Sequence, residues 1–244
     1  MRAINHSRQP KHIRVAILDD HQPIIDGYLY RLVNIPNIEV VATMHYGEEL
    51  EPTLAKLPVD VLLLDIGVPT SPTNSNPYPI HFSISSLLQR YPDLTILVIS
   101  MYAQRAMIKS VMESGASGYI LKDDQAAIKE LPVIIQTVDS GGIYLSQTAA
   151  KEIYKHRTGQ LEQPLTQRQV EVLSLCASYP DATTADLAQA MNIANSTVRN
   201  LLSSAYIKLK VRNRAAAIAK ARSMNFLKPE DTLPAVHPSE ESNF

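Results

Sequence analysis

Four apolar runs in the first half of the chain each end in a residue that can do chemistry. Ile13–Leu18 closes on Asp19 and Asp20, Val61–Leu64 on Asp65, Thr95–Ile99 on Ser100, and Gly118–Leu121 on Lys122. A continuous apolar run of four to six residues reads as a buried parallel strand. In an open α/β sheet such strands deliver their carboxyl ends to one edge. Asp65 alone is most simply a turn or capping residue. Together with the others it sits among carboxylates that repel strongly at about 4–6 Å unless a cation lies between them. Mg²⁺ suits such an oxygen-rich set. With Lys122 adding positive charge and Ser100 a hydroxyl donor, the group can accept a phosphoryl group on Asp65.

A second constellation lies near the carboxyl end. Thr184–Met191 reads as a short helix, Asn192–Asn195 as a turn, and Ser196 as the cap of a longer helix, Thr197–Leu209. Helix, tight turn, capped helix is an arrangement that inserts its second helix into the DNA major groove. Arg199 and Asn200 occupy the first turn of that helix; arginine pairs with guanine edges and asparagine with adenine edges. Lys208, Lys210, Arg212 and Arg214 supply charge suited to phosphates.

The elements that must hold these residues alternate. Strands are expected at 13–18, 38–43, 61–64, 95–99 and 118–121. Helices are expected at Gln22–Leu32, Gly47–Lys56, Ala103–Ser114 and Val133–Asp139, with Asp124–Leu131 a separate short turn of helix opened again by Pro132. The expected fold class is α/β: a doubly wound five-stranded parallel sheet, followed by a small all-α domain of four helices. Boundaries are expected at 13–146 for the sheet domain, 147–163 for a linker, 164–228 for the helical domain and 229–244 for a disordered tail. Within the linker Ala149–Arg157 has helical character. Thr166 caps the first helix of the second domain, and Cys176 falls on its apolar side as a small core residue.

Composition agrees with a soluble two-domain chain. The 244 residues are 45 % hydrophobic and 19 % charged, with a net charge of −1. That charge is uneven: residues 13–130 carry 14 acids against 8 bases, and residues 161–228 carry 4 against 9. An acidic half and a basic half suit a metal or phosphate site and a polyanion partner respectively. The single cysteine excludes an internal disulfide. The polar, basic stretch Met1–Lys11 leads into no signal-like segment, and no apolar run approaches the roughly 18 residues of a membrane span. A cytoplasmic protein with no membrane partner is expected.

Residues 13–146 resemble a response-regulator receiver domain. The likeness rests on Ile17-Leu18-Asp19-Asp20-His21, on Asp65 with Pro69, on Leu97-Val98-Ile99-Ser100-Met101, and on Gly115-Ala116-Ser117-Gly118-Tyr119-Ile120-Leu121-Lys122-Asp123. It implies that Asp19, Asp20 and the Gly67 backbone carbonyl hold Mg²⁺ with Asp65, and that a histidine kinase phosphorylates Asp65. Ser100 and Lys122 would then sense the phosphoryl group, and Tyr119 would be the switch aromatic. Tyr119 also fits a plain packing role. A phosphatase of the haloacid-dehalogenase type needs a second acid two residues on, where this chain has Gly67, so no enzyme is expected.

The second domain resembles the LuxR-type (NarL/FixJ) DNA-binding domain. Leu165-Thr166, Glu171-Val172-Leu173, Asp186-Leu187-Ala188, Thr197-Val198-Arg199-Asn200 and Lys208-Leu209-Lys210-Val211-Arg212-Asn213-Arg214 carry that likeness. By position Ser196, Arg199, Asn200 and Ser203 would face bases, and Thr166, Thr197 and Lys208 phosphates. The implied protein is a phosphorylation-dependent transcription regulator that pairs with double-stranded DNA as a homodimer. A DNA-binding regulator controlled at the receiver by a ligand or protein is the alternative.

Departures from the families are local. Thr70–Pro79 is a polar, proline-rich insertion beside Asp65, expected as a passive loop. Tyr179–Thr183 lengthens the first turn of the helical domain by about two residues. Leu201 stands where a polar residue is usual, and Lys210 where glycine is usual.

Overall fold

The structure, a computed structural model, describes residues 12–154 and 165–227. Expectations for Met1–Lys11, for most of the linker and for the tail 229–244 lie outside those residues.

The first domain runs β1 (Ile13–Leu18), α1 (Gln22–Leu32), β2 (Ile38–Met44), a 3-10 turn (Gly47–Glu49), α2 (Leu50–Lys56), β3 (Val61–Leu64), β4 (Pro69–Ser71), β5 (Asn74–Pro77), α3 (Ile80–Arg90), β6 (Thr95–Ser100), α4 (Arg105–Glu113), β7 (Gly118–Leu121), α5 (Gln125–Lys129), α6 (Leu131–Asp139), β8 (Tyr144–Leu145) and α7 (Gln147–Tyr154). The main sheet is parallel and ordered β2-β1-β3-β6-β7-β8. Both faces are covered, which is why the central strands β3, β6 and β7 are buried along their whole length rather than at alternate residues. Val15, Ile17, Val61 and Leu63 enter one core, and Ala16, Leu18, Leu62 and Leu64 the other.

Three local expectations change. The sheet has six strands instead of five, because Tyr144–Leu145 pairs with Gly118 and Tyr119. Two residues are too few to show a strand period. The Thr70–Pro79 insertion is a β4–β5 antiparallel hairpin, not an unstructured loop. It is seated by Tyr78: a Cβ on Gly47 would lie 2.1 Å from Tyr78 Cγ, so the ring rests on bare backbone. The segment after it, left without an element by the sequence expectation, is α3. Its Ile80, Ile84, Leu87 and Leu88 recur at helical spacing and are buried.

The turn of helix before Pro132 is present as α5, with Asp124 accepting from the Ala127 amide and Pro132 in the first turn of α6. Asp124 also accepts from the Thr148 hydroxyl at 2.9 Å, which pins the start of α7. That helix packs against α4 and β7, so the first part of the expected linker lies on the sheet domain.

The second domain is α8 (Gln167–Ser178), α9 (Thr184–Met191), α10 (Asn195–Leu209) and α11 (Arg214–Ser223). Thr166 and Thr183 each form a capping box, with Gln169 and Asp186 as reciprocal partners. The cap of α10 is Ala194, not Ser196; the helix begins two residues earlier than expected and has no side-chain cap. Asn192 and Lys210 close α9 and α10 in the left-handed region, at φ 52° and 58°. Cys176 is buried in the core. Among the described residues no helix is long and apolar enough to cross a membrane.

Candidate functional site

The carboxyl edge of the sheet brings together the first constellation. Lys122 Nζ lies 2.6 Å from Asp65 Oδ2 and 2.8 Å from Asp19 Oδ2, so one buried ammonium holds both carboxylates. The Asp65 and Asp19 backbones are placed by neighbouring strands: the Asp65 amide donates to Leu18 O of β1, and the Asp19 amide to Met44 O of β2. Asp20 is more open and meets His21 Nδ1 at 2.8 Å, while the His21 amide donates to Asp19 Oδ1. Ser100 is fully buried at the end of β6. The Gly67 amide donates to Asp65 Oδ1 at 3.1 Å. Tyr119 is buried, and its hydroxyl donates to the Tyr102 carbonyl at 2.7 Å.

Electrostatics follow from that geometry. Burial pushes the Asp19 carboxyl above its ordinary range, and the Lys122 hydrogen bond offsets only part of the shift. Burial also disfavours the charged Lys122, but its bonds to Asp19 and Asp65 outweigh this and leave its pKa raised. Ligand atoms of Asp19, Asp20 and His21 lie within 4.8 Å of one another. Acidic oxygens short of countercharge are a donor set that fits a hard divalent cation.

The second constellation is placed differently from the expectation. Arg199 is 3 % exposed and Ser203 fully buried, and α10 packs on α4 and α3 of the sheet domain. Arg199 Nη1 donates to Leu94 O at 2.7 Å, and Nη2 approaches Pro92 O at 3.4 Å. Asn195 Nδ2 donates to the same Pro92 carbonyl at 3.1 Å. A guanidinium shaped to grip paired acceptors on a base grips main-chain carbonyls equally well. Burial pushes its pKa down to about 10, with Asp93 acting in the opposite direction. The group remains protonated near neutral pH.

Two left-handed glycines allow the close approach. A Cβ on Gly115 (φ 103°) would lie 3.0 Å from Asn200 Oδ1, and one on Gly141 (φ 82°) 2.8 Å from the Thr184 amide nitrogen. One apolar cluster runs from Leu94, Ile96 and Ala116 into Val198 and Leu202. Thr166 and Thr197 are exposed, Ser196 and Asn200 are half-buried, and Lys208 Nζ donates to Gln169 Oε1 at 3.0 Å. Sequence reasoning gives no role to Tyr102 or Asn195. Tyr102 carried a weak signal as an aromatic two residues past a strand end; Asn195 carried none.

Comparison with known proteins bears on both halves. Residues 15–135 match the family model for the response regulator receiver domain, and residues 163–221 that for bacterial regulatory proteins of the luxR family. The chain is 29 % identical to the transcriptional regulatory protein DegU of Brevibacillus brevis, over 92 % of this chain and 99 % of that one. It is 28 % identical to LnrK of Bacillus subtilis, over 84 % and 94 %. Among solved structures, RcsB of Salmonella typhimurium superposes with a TM-score of 0.52 at 25 % identity, covering 86 % of this chain and 99 % of that chain. The chain therefore belongs to the response regulators that join a receiver domain to a LuxR-type DNA-binding domain and regulate transcription.

Proposed function

We propose that this regulator is switched by phosphorylation of Asp65, with a histidine kinase as donor and Mg²⁺ as cofactor, and that the switch acts by freeing α10 for promoter DNA. The observation that carries this is the burial of Arg199 on the Leu94 carbonyl, with Asn200 set against Gly115, on the receiver that holds the Asp65 pocket. DNA cannot be read until that face is uncovered. Asp19, Asp20, Asp65 and the Gly67 carbonyl would hold the cation, which neutralises phosphoryl oxygens when bound. Lys122 then trades its carboxylate partners for the phosphoryl group, and Ser100 donates a hydrogen bond to it. The added charge of about −1.5 to −2 acts at the end of β6, five residues before α4, and α4 packs on α10. This shifts a pre-existing equilibrium between closed and open forms.

Once open, Ser196, Arg199, Asn200 and Ser203 face bases and Thr166, Thr197 and Lys208 approach phosphates, in a dimer on two half-sites. RcsB has been solved bound to DNA, and its isolated receiver with the phosphomimetic BeF3⁻. The same reagents test this chain. Beryllofluoride with Mg²⁺ tightens binding to promoter DNA in the wild type and leaves Asp65→Asn unchanged. Equal responses from both proteins would refute the phosphoacceptor assignment.

A second mode of control is favoured by the hairpin. β5 is exposed along its length, and the hairpin runs into α3, which also packs on α10. A protein bound at β4–β5 would reach the same contact without phosphorylation. Deleting residues 70–77 would then change DNA affinity in the Asp65→Asn background.

A further inference from the structure

Asn195 opens α10, one residue after the Ala194 cap, and the helix has no side-chain cap. The Asn195 amide is therefore not engaged by its own helix. It reaches the receiver instead, where Nδ2 donates to Pro92 O at 3.1 Å. Arg199, four residues on, lies on the same face of the helix. Its Nη2 stands 3.4 Å from that same oxygen, and its Nη1 donates to Leu94 O at 2.7 Å. Two side chains one turn apart thus converge their donors on a pair of carbonyl oxygens.

The receiver satisfies only half of the Asn195 amide. Its Oδ1 is buried and has no hydrogen-bond donor among the described residues. An amide side chain offers donor hydrogens and an acceptor oxygen side by side, and a buried acceptor without a donor weakens the state that leaves it so. Pro92 and Leu94 present acceptors alone. That is all a guanidinium needs and less than an amide can use. The edge that completes the amide carries an acceptor and a donor next to each other. In the DNA major groove that edge is adenine, with N7 accepting and N6–H donating, whereas guanine presents two acceptors, N7 and O6, which suit Arg199.

We propose that Asn195 is a specificity-determining residue of the DNA-binding helix and reads an adenine next to the guanine that Arg199 takes. This rests on α10 being the element that enters the major groove. Nδ2 donates to adenine N7 and Oδ1 accepts from N6–H, so the oxygen left without a donor on the receiver gains one on the base. Asn195 and Arg199 approach one oxygen in the closed form. Their nitrogens are therefore near enough to address neighbouring base pairs, stacked about 3.4 Å apart. The preference that follows is for adjoining guanine and adenine within a half-site.

The test uses the full chain with beryllofluoride and Mg²⁺ at one fixed salt concentration. Selection from randomised duplexes defines the wild-type site, and fluorescence anisotropy gives the penalty for changing each of its base pairs in turn. Each penalty is a ratio of two affinities of one protein, so the equilibrium between closed and open forms cancels. The guanine is the position whose penalty disappears in Arg199→Met. In the wild type, changing the adenine beside it weakens binding by about 5- to 150-fold. In Asn195→Ala that change costs less than about twofold, while the penalties at the other base pairs persist and show the variant to be folded. Asn195→Asp keeps the acceptor and lacks the donor, and moves the preference at that position from adenine to cytosine. A loss of affinity in Asn195→Ala that is equal for every duplex marks a phosphate contact and overturns the assignment. A wild type that selects no sequence overturns the reading of α10 and this inference with it. A selected site whose penalties are unchanged in Asn195→Ala overturns only the latter.

Discussion

Replacing Arg199 with methionine removes the guanidinium from the receiver while keeping the bulk of its stem. In the closed form that group donates to Leu94 O and approaches Pro92 O, and hydrogen bonds from a charged donor contribute about 1.5–3 kcal/mol each. Against this stands its burial: the fall in pKa from 12.5 to about 10 corresponds to about 3 kcal/mol withheld from the charged form. The balance favours closure by about 0–3 kcal/mol, with a centre near the tenfold change that about 1.4 kcal/mol represents. Amide hydrogen exchange reads this directly. In Arg199→Met, exchange through α10 and at the Asp93 and Leu94 amides accelerates by about one order of magnitude, while the core strands keep their protection. With Arg199 proposed to read base edges, DNA affinity should fall in the same variant, so opening and binding move in opposite directions. Unchanged or slower exchange in α10 would refute the idea that Arg199 fastens the two domains.

Other perturbations follow from single contacts. Lys122→Met leaves Asp19 and Asp65 without their shared ammonium. Thermal melting without metal should show a loss of about 3–5 kcal/mol, and Mg²⁺ should raise the melting temperature of the variant more than that of the wild type. Asp124→Ala removes the α5 cap and the bond to Thr148, at a cost of about 1–2 kcal/mol. The Asp124 carboxyl is desolvated, but its bonds from Thr148, Ala127 and Ser146 outweigh that and hold its pKa below 3.8. Its contribution is therefore complete above pH 3.8 and fades as pH falls through the lowered value, so the melts of variant and wild type converge in acid. Lys210 ends α10 at φ 58°; Lys210→Gly relieves that conformation and should stabilise the protein by up to about 1 kcal/mol in denaturant titration.

The acidic pocket was legible because burial on both faces makes a parallel strand apolar to its last residue, so a polar terminus stands out. Asp65 after Val61–Leu64 and Lys122 after Gly118–Leu121 are cases of that contrast. α3 was hidden by its context: Ile80, Ile84, Leu87 and Leu88 carry a helical period, but they follow ten polar and proline-rich residues that suggest a loop. β8 was too short to show any period. The partner of Arg199 had no signature at all, since a main-chain carbonyl is present at every residue. The family glycine replaced by Lys210 was legible as a departure, and its cost became visible only with the left-handed backbone.

On the proposed reading, the one guanidinium of Arg199 has two claimants. A promoter base pair that engages it competes with the Leu94 and Pro92 carbonyls, and such competition obliges an equal return. Whatever factor the phosphoryl group contributes to DNA affinity by loosening the receiver, bound DNA must contribute to the receiver's affinity for a phosphoryl mimic. The promoter is then an effector as well as a target: operator DNA added to the purified regulator should lower the beryllofluoride concentration needed for half-saturation. A regulator already seated on its site would answer weaker signals than one free in solution.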